Sequence, residues 1–284
     1  MLFSIVTPTR NNLPDLRRCV GSVRGHDAVA REHLIHDAVS SDGTREWLAS
    51  QAGIDALSEP DAGMYDAINR GWARSKGDIL SWLNSDEQYL PGTLARVQEL
   101  FSSHPTVDAL WGDAIVVSPS GVPIAARREI PLRRLYVVNG FLYSLSCTMF
   151  FRRRLLDNGL LAFSKTSRYA GDMELVLRLL EANVQFLHTP HYLSLFGFSG
   201  DNMCLRSEAE SEAEAIRRKH GALPGRSLRR IVLAGRLIER FVRGSYASRD
   251  IAFLFATDEI PKYREVVASG IGGRLDSARV AVAG

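Results

Sequence analysis

Cysteine is scarce in this chain. Three occur in 284 residues, Cys19, Cys147 and Cys204, and no C-x-x-C is present. An odd number at wide separation supports neither a disulfide framework nor a thiolate zinc site, and it fits a reducing compartment. A strong charge of one sign is lacking as well. Thirty-five basic and 32 acidic side chains leave a net charge of +3, too near balance for nucleic acid to be the partner of the whole chain. Long apolar runs are also missing. The longest stretch free of Asp, Glu, Lys, Arg and His, Leu135 to Phe151, has 17 residues, the lower limit for a membrane span. Asn139, Gly140, Ser144, Ser146 and Thr148 inside it would be costly in lipid, so it reads as buried loop and strand. The first residues enter at once into "FSIV", with no basic n-region and no cleavage site, so no secretory signal is expected. The expected location is cytoplasmic.

The composition that remains is that of a globular protein, 45% hydrophobic and 24% charged, long enough for one large domain with an appendage. Two short runs of strand formers, "LFSIVTPT" and "HLIHDAV", flank a segment with Leu13, Leu16, Val20 and Val23 at helical spacing. A strand, a helix and a second strand so connected favour parallel pairing. "DGTREWLASQA" opens a helix, and "SEPDAGMYDAINRGWARSKG" gives another with Met64, Ile68 and Trp72 on one face and Gly77 as its stop. A buried strand follows, Asp78 to Leu83, then a helix from Pro91. A hairpin over 107–129 turns at Ser118 to Gly121. The first 115 residues therefore alternate as in an α/β doubly wound sheet. Ligands of such sheets bind beyond the carboxyl ends of the strands, where Asp86 and Glu87 stand in "LSWLNSDEQYL". Adjacent carboxylates at a phosphate-binding position make sense when a hard divalent cation lies between them and the ligand. Taken alone, such a pair is more often a solvated turn.

Four segments occur in order: "SIVTPTRNN", "HDAVSSDGT", "SEPDAGMYDAINRGWARSKGD" and "LNSDE". Together they resemble the family-2 glycosyltransferases over roughly residues 1–205. The resemblance implies a GT-A fold, a Rossmann-like mixed sheet flanked by helices. It also implies inverting transfer from a UDP- or dTDP-sugar to a hydroxyl of a saccharide or lipid-linked acceptor, with Mg²⁺ or Mn²⁺, in cell-surface polysaccharide synthesis. Residues 1–115 would form the nucleotide-sugar half, 116–222 the acceptor half and 223–284 a basic helical extension. Carried over residue by residue, Thr7, Pro8, Arg10, Asp37, Asp66, Asn69, Ser85 and Asp86 bind the donor. Asp37 would accept from the base, whose N3–H offers a donor. Asp86 and Glu87 would hold the metal, although Glu87 stands where many members have Asp. Asp172 in "AGDMELVLRLL" would be the base that takes the acceptor's proton, and a helix cap is its bland alternative. Asp42 reads as a cap. Two other readings stay open: a non-catalytic nucleotide-sugar binder, given Asn84 and Glu87, and a nucleotidyltransferase, which the glycine-free "TPTRNN" disfavours.

The last region with a pattern is 226–244, apolar at Ile231, Leu233, Leu237, Ile238, Phe241 and Val242. It carries Arg226, Arg229, Arg230, Arg236, Arg240 and Arg243 against Glu239 alone. It is either a packing helix with a solvated arginine face or an interfacial helix on an anionic membrane, which would make the protein peripheral at the inner face of the cell membrane.

Overall fold

The structure, a computed structural model, describes residues 1–200 and 202–274. Four parallel strands begin the main sheet: β1 (Phe3–Thr9), β2 (Arg31–Asp37), β3 (Ile54–Ser58) and β4 (Ile79–Trp82). The crossovers are α1 (Leu13–Arg24), α2 (Thr44–Ala49) and α3 (Met64–Arg74). β1 pairs with β2 on one side and with β4 on the other, and β3 lies outside β2. The chain thus winds outward through β2 and β3 and returns to β4, so the order reverses between β1 and β4. That reversal opens a crevice at their carboxyl ends. β1 is buried along its whole length because helices cover both faces.

The remaining strands make the sheet mixed. They are β5 (Gln88–Tyr89), β6 (Ala109–Val117), β7 (Pro123–Arg127), β8 (Phe150–Arg152) and β9 (Phe186–Gly197). Their order continues β4-β8-β6-β9-β5, with β7 on β6, and β8 runs antiparallel to both neighbours. Between them lie α4 (Thr93–Ser103), α5 (Arg134–Asn139), α6 (Arg153–Asp157) and α7 (Gly171–Glu181). An aromatic cluster locks the two halves together: Trp82 stacks on Phe151 from β8 at 6.0 Å, and Trp72 on Phe163 at 5.2 Å. Such stacked pairs add about 0.5–1.5 kcal/mol each beyond their buried area.

Three elements differ from expectation. β3 was not anticipated, because this five-residue edge strand is half exposed and carries no alternating apolar run; its pairing with β2 creates it. The uncharged run 135–151, expected as loop and strand, begins as α5 and reaches strand form only at β8. The extension is not helical throughout. After α8 (Ser207–Lys219) and α9 (Arg226–Val242) comes an antiparallel hairpin, β10 (Arg249–Ala256) and β11 (Tyr263–Ile271). Ile251, Phe253 and Phe255 alternate inward from β10 onto Leu90, Ile115 and Val117, the period-two pattern of a half-buried strand. Residues 275–284 of the extension lie outside the described residues. The solvated arginine face is corrected too, since Arg236 and Arg240 of α9 are buried.

One buried group makes stability depend on pH. His33 of β2 is enclosed, with Nε2 2.9 Å from the Thr7 hydroxyl, and burial, helped by Arg24 and Arg31, lowers its pKa to about 3. The unfolded chain, near 6.5 at this group, therefore takes up the proton first. The contribution is intact above pH 6.5 and is lost as pH falls toward 3. The difference in unfolding free energy between wild type and His33→Gln should shrink by about 3 kcal/mol from pH 7.5 to 4. Urea titrations at several pH values measure it, and a gap independent of pH would refute the assignment.

Candidate active site

The crevice at the β1/β4 reversal holds a cavity of about 440 Å³. Three sets of residues meet there. Pro8, Thr9, Arg10 and Asn12 come from the end of β1; Asn84, Ser85, Asp86 and Glu87 come from the turn after β4; Asp172 and Tyr169 come from the start of α7. Of the residues expected at the site, the structure brings Pro8, Arg10, Ser85, Asp86, Glu87 and Asp172 to one cavity.

The other four are engaged elsewhere. Thr7 is fully buried and hydrogen-bonded to His33, and only the residues after it, Pro8 and Thr9 at the carboxyl end of β1, reach the cavity. Asp37 closes the turn after β2. Its carboxylate accepts from the Ser40 amide at 3.2 Å, from the Ser40 hydroxyl and from the Ser58 hydroxyl at 2.6 Å, and only its neighbour Ala38 reaches the cavity wall. Asp66 accepts the Ala62 N–H at 3.0 Å and pairs with Arg70 at 2.8 Å, which satisfies a donor just ahead of α3. Asn69 joins α3 to the loop before α7, donating to the Phe163 carbonyl at 2.9 Å and accepting the Phe163 N–H at 2.8 Å. Both side chains on this shared helix face make local polar contacts and lie outside the cavity lining. Asp42 accepts from the Thr44 N–H at 3.2 Å, at the start of α2, and from the Leu13 N–H at 3.0 Å, at the start of α1, so it serves both helix starts.

The acids sit in contrasting surroundings. Asp86 opens toward the cavity with protein crowding its other sides, and burial raises its pKa. Glu87 is enclosed beneath it and raised to about 8, first by burial and then by the Asp86 charge. It accepts from the Asn84 N–H at 2.8 Å and from the Ser146 hydroxyl at 3.2 Å. Gly197 of β9 permits this packing, since a Cβ there would come within 2.5 Å of the Asp86 carbonyl oxygen. The donor set is all oxygen, as hard cations prefer. Among the described residues no third His, Cys, Asp or Glu completes a cluster. Asp61, Asp86, Glu87 and Asp172 line the cavity against Arg10, its one cationic side chain among the described residues. A diphosphate would be repelled from such a cavity unless a cation came with it. The residues present therefore fit a divalent ion held at Asp86, with Glu87 directly or through water.

Asp172 occupies the first turn of α7. Burial raises its pKa, while its Oδ1 accepts the Met173 N–H at 2.8 Å and the Tyr65 hydroxyl at 3.4 Å. Gly171 lets Tyr65 approach, because a Cβ there would meet the ring at 2.7 Å. One residue of this arrangement gave no signal in the sequence. Glu212 of α8 accepts the N–H groups of Arg168, Tyr169 and Ala170 at 3.0–3.3 Å and so fixes the loop that delivers Asp172. A glutamate in a polar helix looks like any solvated charge until α8 is seen against α7.

A mixed sheet with carboxylates at the β1/β4 reversal and a third acid lining the same cavity fits the GT-A class of nucleotide-sugar folds. S. aureus TarS 1-349 in complex with UDP-GlcNAc has the same fold, with a TM-score of 0.62 at 18% identity over 85% of this chain and 73% of that one. The mannosyltransferase PcManGT from Pyrobaculum calidifontis, in complex with GDP-Man and Mn²⁺, gives 0.53 at 15% identity over 86% of this chain and 81% of that one. The sequence profile described as Glycosyl transferase family 2 matches residues 4–160, more than half of the chain, and the protein belongs to that family. An uncharacterized glycosyltransferase of Mycobacterium tuberculosis is 37% identical over 113 residues, 38% of this chain and 43% of its own length. A PGL/p-HBAD biosynthesis glycosyltransferase of Mycobacterium bovis is 32% identical over 123 residues, 41% of this chain and 48% of its own length. The matched stretch thus spans under half of these relatives.

Proposed function

We propose that the chain is an inverting glycosyltransferase. It moves a sugar from a UDP- or dTDP-sugar to a hydroxyl of a saccharide or lipid-linked acceptor in cell-surface polysaccharide or glycolipid synthesis. The observation that carries this reading is the convergence of the Asp86–Glu87 pair and Asp172 on one cavity. Asp86 would hold the divalent ion at the diphosphate end of the donor, and Pro8, Arg10 and Ser85 line that side. A divalent cation, Mg²⁺ or Mn²⁺, supplies charge neutralisation of the departing diphosphate when bound. Asp172 takes the proton of the acceptor hydroxyl as it attacks the anomeric carbon from the face opposite the leaving group, which inverts that centre. The complexes of TarS with UDP-GlcNAc and of PcManGT with GDP-Man and Mn²⁺ support the donor class and the choice of ion. The name of the M. bovis relative supports a glycolipid acceptor.

The test is release of nucleoside diphosphate from a panel of UDP- and dTDP-sugars, with oligosaccharide or polyprenyl-linked acceptors, in Mn²⁺ and in EDTA. One donor should give turnover that EDTA suppresses, and NMR of the product should show the anomer opposite to the donor's. A donor that raises Tm but is never consumed with any acceptor would instead identify a non-catalytic binder.

A further inference from the structure

Helix α9 is docked inside out. Arg236 and Arg240 keep 3% and 5% of their surface exposed, whereas Ile231, Ile238, Phe241 and Val242 on the opposite side keep 68%, 64%, 75% and 78%. Burying arginine while exposing phenylalanine reverses the ordinary preference, and here a specific anchor fixes it. Glu129, itself buried, pairs with Arg236 at 2.9 Å and with Arg240 at 3.1 Å. The Arg236 guanidinium lies 4.3 Å from the centre of the Tyr143 ring, and that of Arg240 lies 4.4 Å from the centre of Tyr246. The helix cannot roll its apolar side inward without stripping Arg236 and Arg240 from Glu129, which would keep only Arg127 at 2.7 Å, and breaking buried ion pairs in this way is destabilising. The apolar stripe is therefore held outward by construction. It runs along most of a 17-residue helix and forms a contiguous patch of the kind that marks an interaction surface.

The charges around the stripe say what covers it. Arg226 and Arg230 are exposed beside it and have no ion-pair partner among the described residues, while Glu239 is neutralised by Arg133 and Arg243. Next to these arginines an open groove of about 1360 Å³ separates α8 from α9; Arg218 and Arg229 in its lining are already paired with Glu214, which leaves Arg226 and Arg230 as its unpaired cations among the described residues. Apolar side chains flanked by cations, beside room for headgroups, match the boundary of an anionic bilayer. A second copy of the chain fits less well, because an isologous contact would set the same arginines against each other. Among the described residues no helix is long and apolar enough to cross a membrane, so the contact lies in the plane of the surface.

We infer that α9 seats the protein on an anionic membrane, with Ile231, Ile238, Phe241 and Val242 entering the headgroup boundary and Arg226 and Arg230 contacting lipid phosphate. This inference does not depend on the reaction proposed above. It is tested by co-sedimentation of the full chain with vesicles of phosphatidylcholine alone or with 30% phosphatidylglycerol. Binding should require phosphatidylglycerol and weaken with salt. Ile238→Glu/Phe241→Glu should lower binding at least a hundredfold, and Arg226→Ala/Arg230→Ala roughly tenfold or more. Both variants should keep the wild-type Tm, because the altered side chains are exposed. No binding to the anionic vesicles, equal binding to both compositions, or a double-Glu variant that still binds would overturn the inference. So would a concentration-dependent dimer, seen by analytical ultracentrifugation, that Ile238→Glu/Phe241→Glu abolishes.

Discussion

Replacing Asp86 by asparagine should lower sugar transfer by about a hundred- to a thousandfold, the equivalent of roughly 3–4 kcal/mol of transition-state stabilisation. Among the acids lining the cavity, Asp86 faces open volume at the strand-order reversal, whereas Glu87 beneath it is already satisfied by the Asn84 N–H and the Ser146 hydroxyl. The amide keeps the shape and hydrogen-bonding size of the carboxylate but removes its charge, so the fold should persist. The cavity keeps its other acids and loses the ligand that holds the ion against the donor. The diagnostic readout is a coupled one. In the wild type, Mn²⁺ and UDP together should raise Tm by more than the sum of each alone; in Asp86→Asn that excess should vanish. Glu87→Gln should have the smaller effect of the two, since a side chain at that depth reaches the ion less directly. Wild-type turnover and an undiminished Mn²⁺-dependent shift in Asp86→Asn would remove the metal assignment.

Asp172→Asn is expected to reduce kcat by about 10²- to 10⁴-fold while leaving the UDP-dependent Tm shift in place, because Asp172 is assigned to the acceptor side. The rate also carries a signature in pH. A base acts only when ionised, so activity is present above its pKa and is lost as pH falls through it. Burial raises the Asp172 carboxyl, so the acidic limb of kcat/KM should lie above the ordinary carboxylate range, and Asp172→Asn should lose that limb with the rate. Tyr65 and Glu212 give an internal comparison. Both hold the first turn of α7 in place, yet neither can accept the proton from an acceptor lying in the cavity. Full turnover by the asparagine variant would show that a different group accepts the proton.

Some of this was written locally in the chain and some was not. The helix of residues 64–74, the buried strand at 79–82 and the hairpin turning at 118–121 follow from periodicity and turn chemistry. The convergence of Arg10, Asp86 and Asp172 follows from topology, since a winding sheet brings its carboxyl ends to one crevice. The direction of individual side chains did not follow. Thr7 and Pro8 are consecutive, yet one is hydrogen-bonded in the core and the other lines the cavity. Asp37, Asp66 and Asn69 have the chemistry to bind a donor, and in this fold they also contact Ser40, Arg70 and Phe163 and lie outside the cavity lining. Which neighbour reaches a polar atom first depends on packing, and motif spacing does not encode it.

The sequence by itself determined that this is an α/β chain of the family-2 type, with acids placed at the ends of its strands, because periodicity and ordered motifs are local properties. Only the tertiary structure decided that Glu212 fixes the loop before α7, that β3 exists, and that α9 turns its arginines inward. Each of those outcomes rests on a partner distant in the chain: the amides of 168–170, the edge of β2, and Glu129. A free edge, an unpaired buried charge and an orphaned N–H cost free energy only once the fold has brought their surroundings together.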